Sequence, residues 1–150
     1  MAAATTEGYT MTFATEYRET KVLTATPHQL HLMVVDGAIR FATAAEGALQ
    51  SRDFKLAEIH LARANECVAS LIAGLDASRQ PDLVDRLKSV FAFVQRTLAQ
   101  ADRRHDTRLI PEALAVLRLH RQTWLALGEK LAQEAAADQP VSESGFCWTS

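Results

Sequence analysis

Lys21–Phe41, KVLTATPHQLHLMVVDGAIRF, decides how the rest of the chain is read. Val22-Leu23-Thr24-Ala25 is extended in character and runs into Thr26-Pro27, where the residue before proline is held out of the helical region. Thr26 is a good N-cap, because its hydroxyl accepts a hydrogen bond from an orphan amide of the first turn. Pro27 suits the first helical position, where no amide donor is needed. Gln29 completes a Thr-x-x-Gln capping box. An apolar helix with Asp36-Gly37 in its middle therefore starts here.

Three more helices follow from the same grammar. The first is predicted from Pro27 to Gln50, with core stripe Leu30, Met33/Val34, Gly37, Phe41, Ala44/Ala45 and Ala48 at steps of three and four. Asp53 caps a second helix carrying Phe54, Ala57, Leu61, Ala64, Val68, Leu71 and Leu75. A third opens near Pro81, with Leu83, Leu87, Val90, Val94, Leu98 and Ala101 on one face. After the charged turn Asp102–Asp106, a fourth carries Ile110, Ala113/Leu114, Leu117, Trp124, Leu127 and Leu131. Pro111 either kinks its first turn or marks its start. Long helices on short connections give an all-α, antiparallel up-down four-helix bundle. The expected division is an extended N-terminal arm over 1–26, the bundle over 27–137 and a flexible C-terminal tail over 138–150. Tyr17 and Val22 of the arm are candidate plugs on the bundle surface, and Phe146 and Trp148 are unusual residues for a solvated tail.

Composition narrows the function. The chain has 150 residues, 48% of them apolar, and a net charge of −2, so one domain with one core is expected and a basic nucleic-acid surface is not. The N-terminus lacks a basic region and an apolar core, which argues against a signal peptide. No window reaches the roughly 18 apolar residues of a membrane span. Cys67 and Cys147 make no disulfide framework and suit free thiols in a reducing, cytoplasmic setting.

The helices carry more apolar surface than one core needs. Off the expected stripes lie Leu32, Val35 and Ile39 on the first helix, and Leu56 and Ile59 on the second. Val84, Phe91 and Phe93 follow on the third, with Leu119 and Leu125 on the fourth. A bundle helix usually shows one stripe somewhat wider than about 100°. The surplus suggests exposed strips for a partner, and a groove between helices suits an amphipathic helix or an extended segment.

Chemistry is not suggested. No Glu-x-x-His occurs and no two of the five histidines are four apart, so a di-iron bundle lacks its ligands. His28 and His31 are three apart, one of them expected to face solvent, and make a poor metal pair. His60 and His120 lie in helix patterns as structural histidines, although either is the acceptor an alternative reading, a phosphotransfer or scaffold bundle, would need. Cys67 has no basic sequence neighbour to lower its pKa and reads as an inert thiol. Phosphate loops, nucleophile elbows and paired carboxylates are missing, so neither an enzyme nor a cofactor is expected.

Val22–Leu30 (VLTATPHQL) followed by Asp36–Phe41 (DGAIRF) closely resembles the opening motif of flagellin-specific export chaperones. Arg63-Ala64 is similar to that family's Lys-Ala step, and Leu71 to Asp76 to its Leu-x-x-x-Leu-Asp. LKSVFAF at 87–93 stands where the family has Leu-x-x-Leu-Tyr-Asp-Tyr. Leu98–Ala101 with Asp106, and Leu117 to Trp124, match in register. The resemblance covers about residues 17 to 130. The chain departs at Val34-Val35, where the family has Leu-Tyr, and at Phe91-Ala92-Phe93, where two hydroxyls and a carboxylate are lost. The resemblance implies a cytoplasmic chaperone that wraps the C-terminal segment of flagellin in apolar grooves, prevents premature polymerisation and delivers it to the flagellar export gate. It leaves open whether the free protein forms a homodimer.

Overall fold

In the computed structural model, which describes residues 25–138, the Thr26 hydroxyl accepts from the Gln29 amide at 3.1 Å. The Thr26 amide donates back to Gln29 Oε1 at 3.0 Å. Behind that capping box runs α1, Pro27–Gln50. It is followed by α2, Phe54–Ala73, α3, Pro81–Arg104, and α4, Ile110–Ala137. Pro111 sits in the first turn of α4, behind a 3-10 turn at Thr107–Leu109. At about 1.5 Å per residue, α1 and α3 are about 36 Å long and α4 about 42 Å. Tyr17, Val22 and the tail aromatics lie outside the described residues.

The two turns at one end share a construction. Arg52 (φ 59°) and His105 (φ 50°) both take the left-handed conformation that usually calls for glycine. After each, an aspartate amide reaches back five residues, Asp53 to the Ala48 carbonyl at 2.9 Å and Asp106 to the Ala101 carbonyl at 3.1 Å. That aspartate then caps the next element: Asp53 accepts from the Leu56 amide and Asp106 from the Arg108 amide. Phe54 joins the two turns, stacking on His105 with centroids 4.0 Å apart while the Arg52 guanidinium lies 5.7 Å from its ring centre. Each side-chain contact offsets part of the roughly 1–3 kcal/mol such backbone geometry costs.

Pairings across the helices establish the direction. Gly37 faces Cys67 and Phe41 faces His60, so α1 and α2 are antiparallel. His28 meets Trp124 and His31 meets His120, so α1 and α4 are antiparallel too. Each helix packs on its sequence neighbours and α4 closes back on α1. This is the four-helix bundle expected.

The core departs from the expected stripes on three helices. On α2 the buried set, Ala57, Leu61, Ala64, Val68 and Leu71, falls within the expected stripe, with Phe54 and Leu75 at its ends half-buried. On α1 it is Val35, Gly37, Ala38, Ala42, Ala45, Ala48 and Leu49, a face turned by about one residue. Leu30, Met33, Val34 and Phe41 are only half-buried. Small side chains let α1 and α2 approach closely, and bulky neighbours are displaced to the edges of that seam. On α3 the buried positions are Val84, Phe91, Val94, Thr97, Leu98 and Ala101, whereas Leu83 and Val90 are exposed. Val35, Val84 and Phe91, assigned above to off-core strips, are therefore core residues, at 0%, 5% and 0% exposure. Leu127 and Leu131, expected in the core, are exposed, because the last turns of α4 run past the start of α1.

Because Phe91 is closed in on all sides, Phe91→Ala should lower unfolding free energy by about 3–5 kcal/mol. Val35→Asp should abolish the cooperative transition. Leu119→Ala, on the surface, should change stability by no more than about 0.5 kcal/mol. Urea unfolding followed by circular dichroism measures all three; a marginal effect at Phe91 would contradict this core.

Candidate partner-binding grooves

The residues squeezed out of the α1/α2 seam build a groove. Leu30, Met33, Val34, Gly37 and Phe41 of α1 face Arg63, Glu66, Cys67 and Ser70 of α2 around a volume of about 440 Å³, with Arg40 on its edge. Gly37 is its floor. A Cβ placed there would lie 3.4 Å from Cys67 Sγ, so glycine keeps the groove deep where a side chain would begin to fill it. Burial raises the Cys67 thiol above its ordinary pKa, against an opposing pull from Arg40, with Glu66 adding to the rise. The fold thus supplies a basic neighbour invisible in the local sequence, and the thiol still stays protonated. Leu56 and Ile59 are exposed and stand two turns and one turn before Arg63, extending the α2 lip.

A second groove, of about 530 Å³, lies between α3 and α4, lined by Leu87, Val90, Phe93, Val116, Leu119 and Thr123 among others. Its wall is almost wholly apolar. Val90 and Phe93 are more than a third exposed and Leu119 is 65% exposed. Phe93 therefore stands in an open groove while Phe91, two residues earlier, stands in the core. Leu32 and Ile39 are half-buried on the face of α1 that carries Asp36. Asp36 accepts from Arg121 Nε of α4 at 2.6 Å. That ion pair is half-exposed and contributes at most about 1 kcal/mol. Adjacent residues of the Asp-Gly motif thus serve different neighbours, Asp36 toward α4 and Gly37 toward α2.

The histidines assemble where the start of α1 meets α4. Trp124 stacks between His31 (4.0 Å) and His28 (5.4 Å). His28 Nε2 donates to the Trp124 carbonyl at 2.7 Å, and the indole N–H donates to the His28 carbonyl at 3.3 Å. Gly128 makes room for the His28 ring, which occupies the place of its missing Cβ. Contrary to expectation, neither His28 nor His31 faces freely into solvent; both are half-buried. His31 and His120 share a proton, Nε2 to Nε2, at 2.7 Å, so one imidazole donates and the other, which must be neutral, accepts. Among the described residues no three His, Cys, Asp or Glu side chains converge on a metal position. His120 is only 9% exposed. The His60 Nδ1 is sealed from solvent without a partner, beside Phe41. Neither offers an open nitrogen to a phosphodonor, and the buried His60 nitrogen is not the satisfied one expected.

Burial, with the nearby His120 and His28, lowers the His31 pKa to about 4, and burial lowers that of His120. An unfolded chain takes up those protons near pH 6.5 and the folded one does not, so stability is full above about 6.5 and falls as pH drops toward 4. For His31 the loss should be on the order of 1 kcal/mol, given its partial exposure. Urea midpoints at pH 7 and pH 5 should separate in the natural chain and lie closer together in His31→Leu, where His120 alone remains; equal separation in both would remove His31 as a cause.

No helix among the described residues is long and apolar enough to cross a membrane. The family model described as Flagellar protein FliS matches residues 10–131. The flagellar secretion chaperone FliS of Bacillus subtilis (strain 168) is 26% identical over 110 residues, covering 73% of this chain and 81% of that protein. The flagellar secretion chaperone FliS of Salmonella typhimurium is 29% identical over 113 residues, covering 75% and 84%. The flagellar secretion chaperone FliSB of Pseudomonas aeruginosa is 26% identical over 106 residues, covering 71% and 84%. With most of the bundle inside the match, the chain belongs to the FliS family of flagellar proteins.

Proposed function

We propose that this chain is a cytosolic flagellar secretion chaperone that binds the C-terminal segment of flagellin. It would keep that segment from polymerising early and release it at the export gate. The observation that carries the reading is the α1/α2 groove, whose floor is the Gly37 of the Asp-Gly motif and whose walls are apolar side chains excluded from the core. An amphipathic helix laid there would set its apolar face against Leu30, Met33 and Phe41, and its polar edge against Arg40, Arg63 and Glu66. Leu56 and Ile59 would lengthen the contact, while Leu32 and Ile39 would meet a segment passing along the α1/α4 side. Tyr17 and Val22 keep their proposed place on the arm. Val35, Val84 and Phe91 are buried and take no part in that contact.

The work is done by binding alone. A segment that orders on contact gives up about 2–5 kcal/mol or more of its interaction energy, so a wrapped surface with modest affinity and easy release is expected. The family is a chaperone family and supplies no covalent step.

Flagellin from the same organism should co-elute with the chain in gel filtration. Co-elution should cease when roughly the last 40 residues of flagellin, enough for two helices of about 30 Å, are removed. Met33→Asp should weaken the complex by about tenfold or more, equivalent to about 1.4 kcal/mol, with helix content unchanged. A complex that survives the truncation would overturn the reading.

A further inference from the structure

The α3/α4 groove has an occupant within the chain itself. We propose that the C-terminal segment Gln139–Ser150 turns back along α4 and docks Phe146 and Trp148 into that groove. The first support is the groove's chemistry. Leu87, Val90, Phe93, Val116 and Leu119 make one apolar wall, and three of these are large residues open to water. A surface of that kind ordinarily has something to bind. The second is composition. The segment QPVSESGFCWTS opens with polar and small residues and then places two aromatics two positions apart. In an extended strand those two rings point to the same side. A segment meant only for solvent would be poor in aromatics.

The third support is reach. Pro140 stands three residues past the last residue of α4, and a proline there cannot donate the amide that would continue a helix. From Asp138 back along α4 to Thr123, Leu119 and Val116 is about 22, 28 and 33 Å. From Asp138 forward to Phe146 and Trp148 an extended chain spans about 26 and 33 Å. Phe146 therefore reaches the level of Thr123 and Trp148 that of Leu119, each with about 4–5 Å left for the turn. The segment also lies beyond residue 131, where the family match ends, so it is a feature of this chain beyond the shared bundle. Docked there, it covers apolar surface that is otherwise open to water.

The test needs only the full-length chain and is independent of flagellin binding. Subtracting the fluorescence of Trp148→Phe from that of the natural chain isolates the Trp148 emission. That emission should be blue-shifted and shielded from acrylamide at every protein concentration. Leu119→Asp and Val90→Asp, both surface changes checked by circular dichroism, should each return it to the emission of a solvated indole. Three outcomes would overturn the proposal: a solvated Trp148 in the natural chain, a blue shift untouched by both groove variants, or one that vanishes on dilution. The last would place the tail on a second copy.

Discussion

The approach of α1 to α2 is the constraint on which the remaining structure depends. Gly37, Ala38, Ala42, Ala45 and Ala48 on one helix, and Ala57 and Ala64 on the other, hold little volume. Two helices lined that way come close together, which gains dispersion contacts along the whole length. The same closeness leaves no room at the edges for Leu30, Met33 or Phe41. Those side chains cannot move inward and are too apolar to be well solvated, so they become groove walls. Core and candidate binding surface are thus two results of one packing decision. A larger residue in the seam would spread the helices and change the groove at the same time.

The opposite pair, α1 with α4, is joined by different means. There the contacts are aromatic and polar: Trp124 between two imidazoles, a hydrogen bond between His31 and His120, and the Asp36–Arg121 pair. These interactions depend on geometry more than on area. The His31–His120 bond exists only while at least one imidazole lacks its second proton, so neutrality is built into this seam. Gly128 belongs to the same arrangement, since the His28 ring lies where any larger residue would put its side chain.

Local signals were legible where a single residue decides the outcome. Thr26, Pro27, Asp53 and Pro81 mark helix starts because caps and prolines act on their own turns, and α1, α2 and α3 begin where such residues place them. The face each helix buries was less legible. On α2, apolar spacing alone finds it, since Leu61, Val68 and Leu71 have no competing stripe. On α1 and the first half of α3, two stripes of similar strength run side by side. Weight given to large side chains selected Leu30, Met33 and Val90 over the alanine register and Val84. The signal that could have corrected this was the evenness of Val35, Ala38, Ala42, Ala45 and Leu49, which keeps heptad spacing across the helix. Bulk and hydrophobicity do not separate Phe91 from Phe93, but spacing does: Phe91 stands three and seven residues before Val94 and Leu98, in step with Val84, and Phe93 does not. The histidine cluster was hidden because His31 and His120 are far apart in the chain.

The paired turns at Arg52 and His105 bear on how the molecule assembles. Each is short and self-capped, so α1 with α2, and α3 with α4, can each close as a hairpin using contacts near in sequence. Short loops cost little closure entropy, and topologies rich in near-neighbour contacts reach their native state fast. The longer link over 74–80 then has only to bring two preformed hairpins together, with Phe54 against His105 aligning their ends. A chaperone made this way is itself an undemanding substrate for the folding machinery, ready soon after synthesis to receive a client that is not.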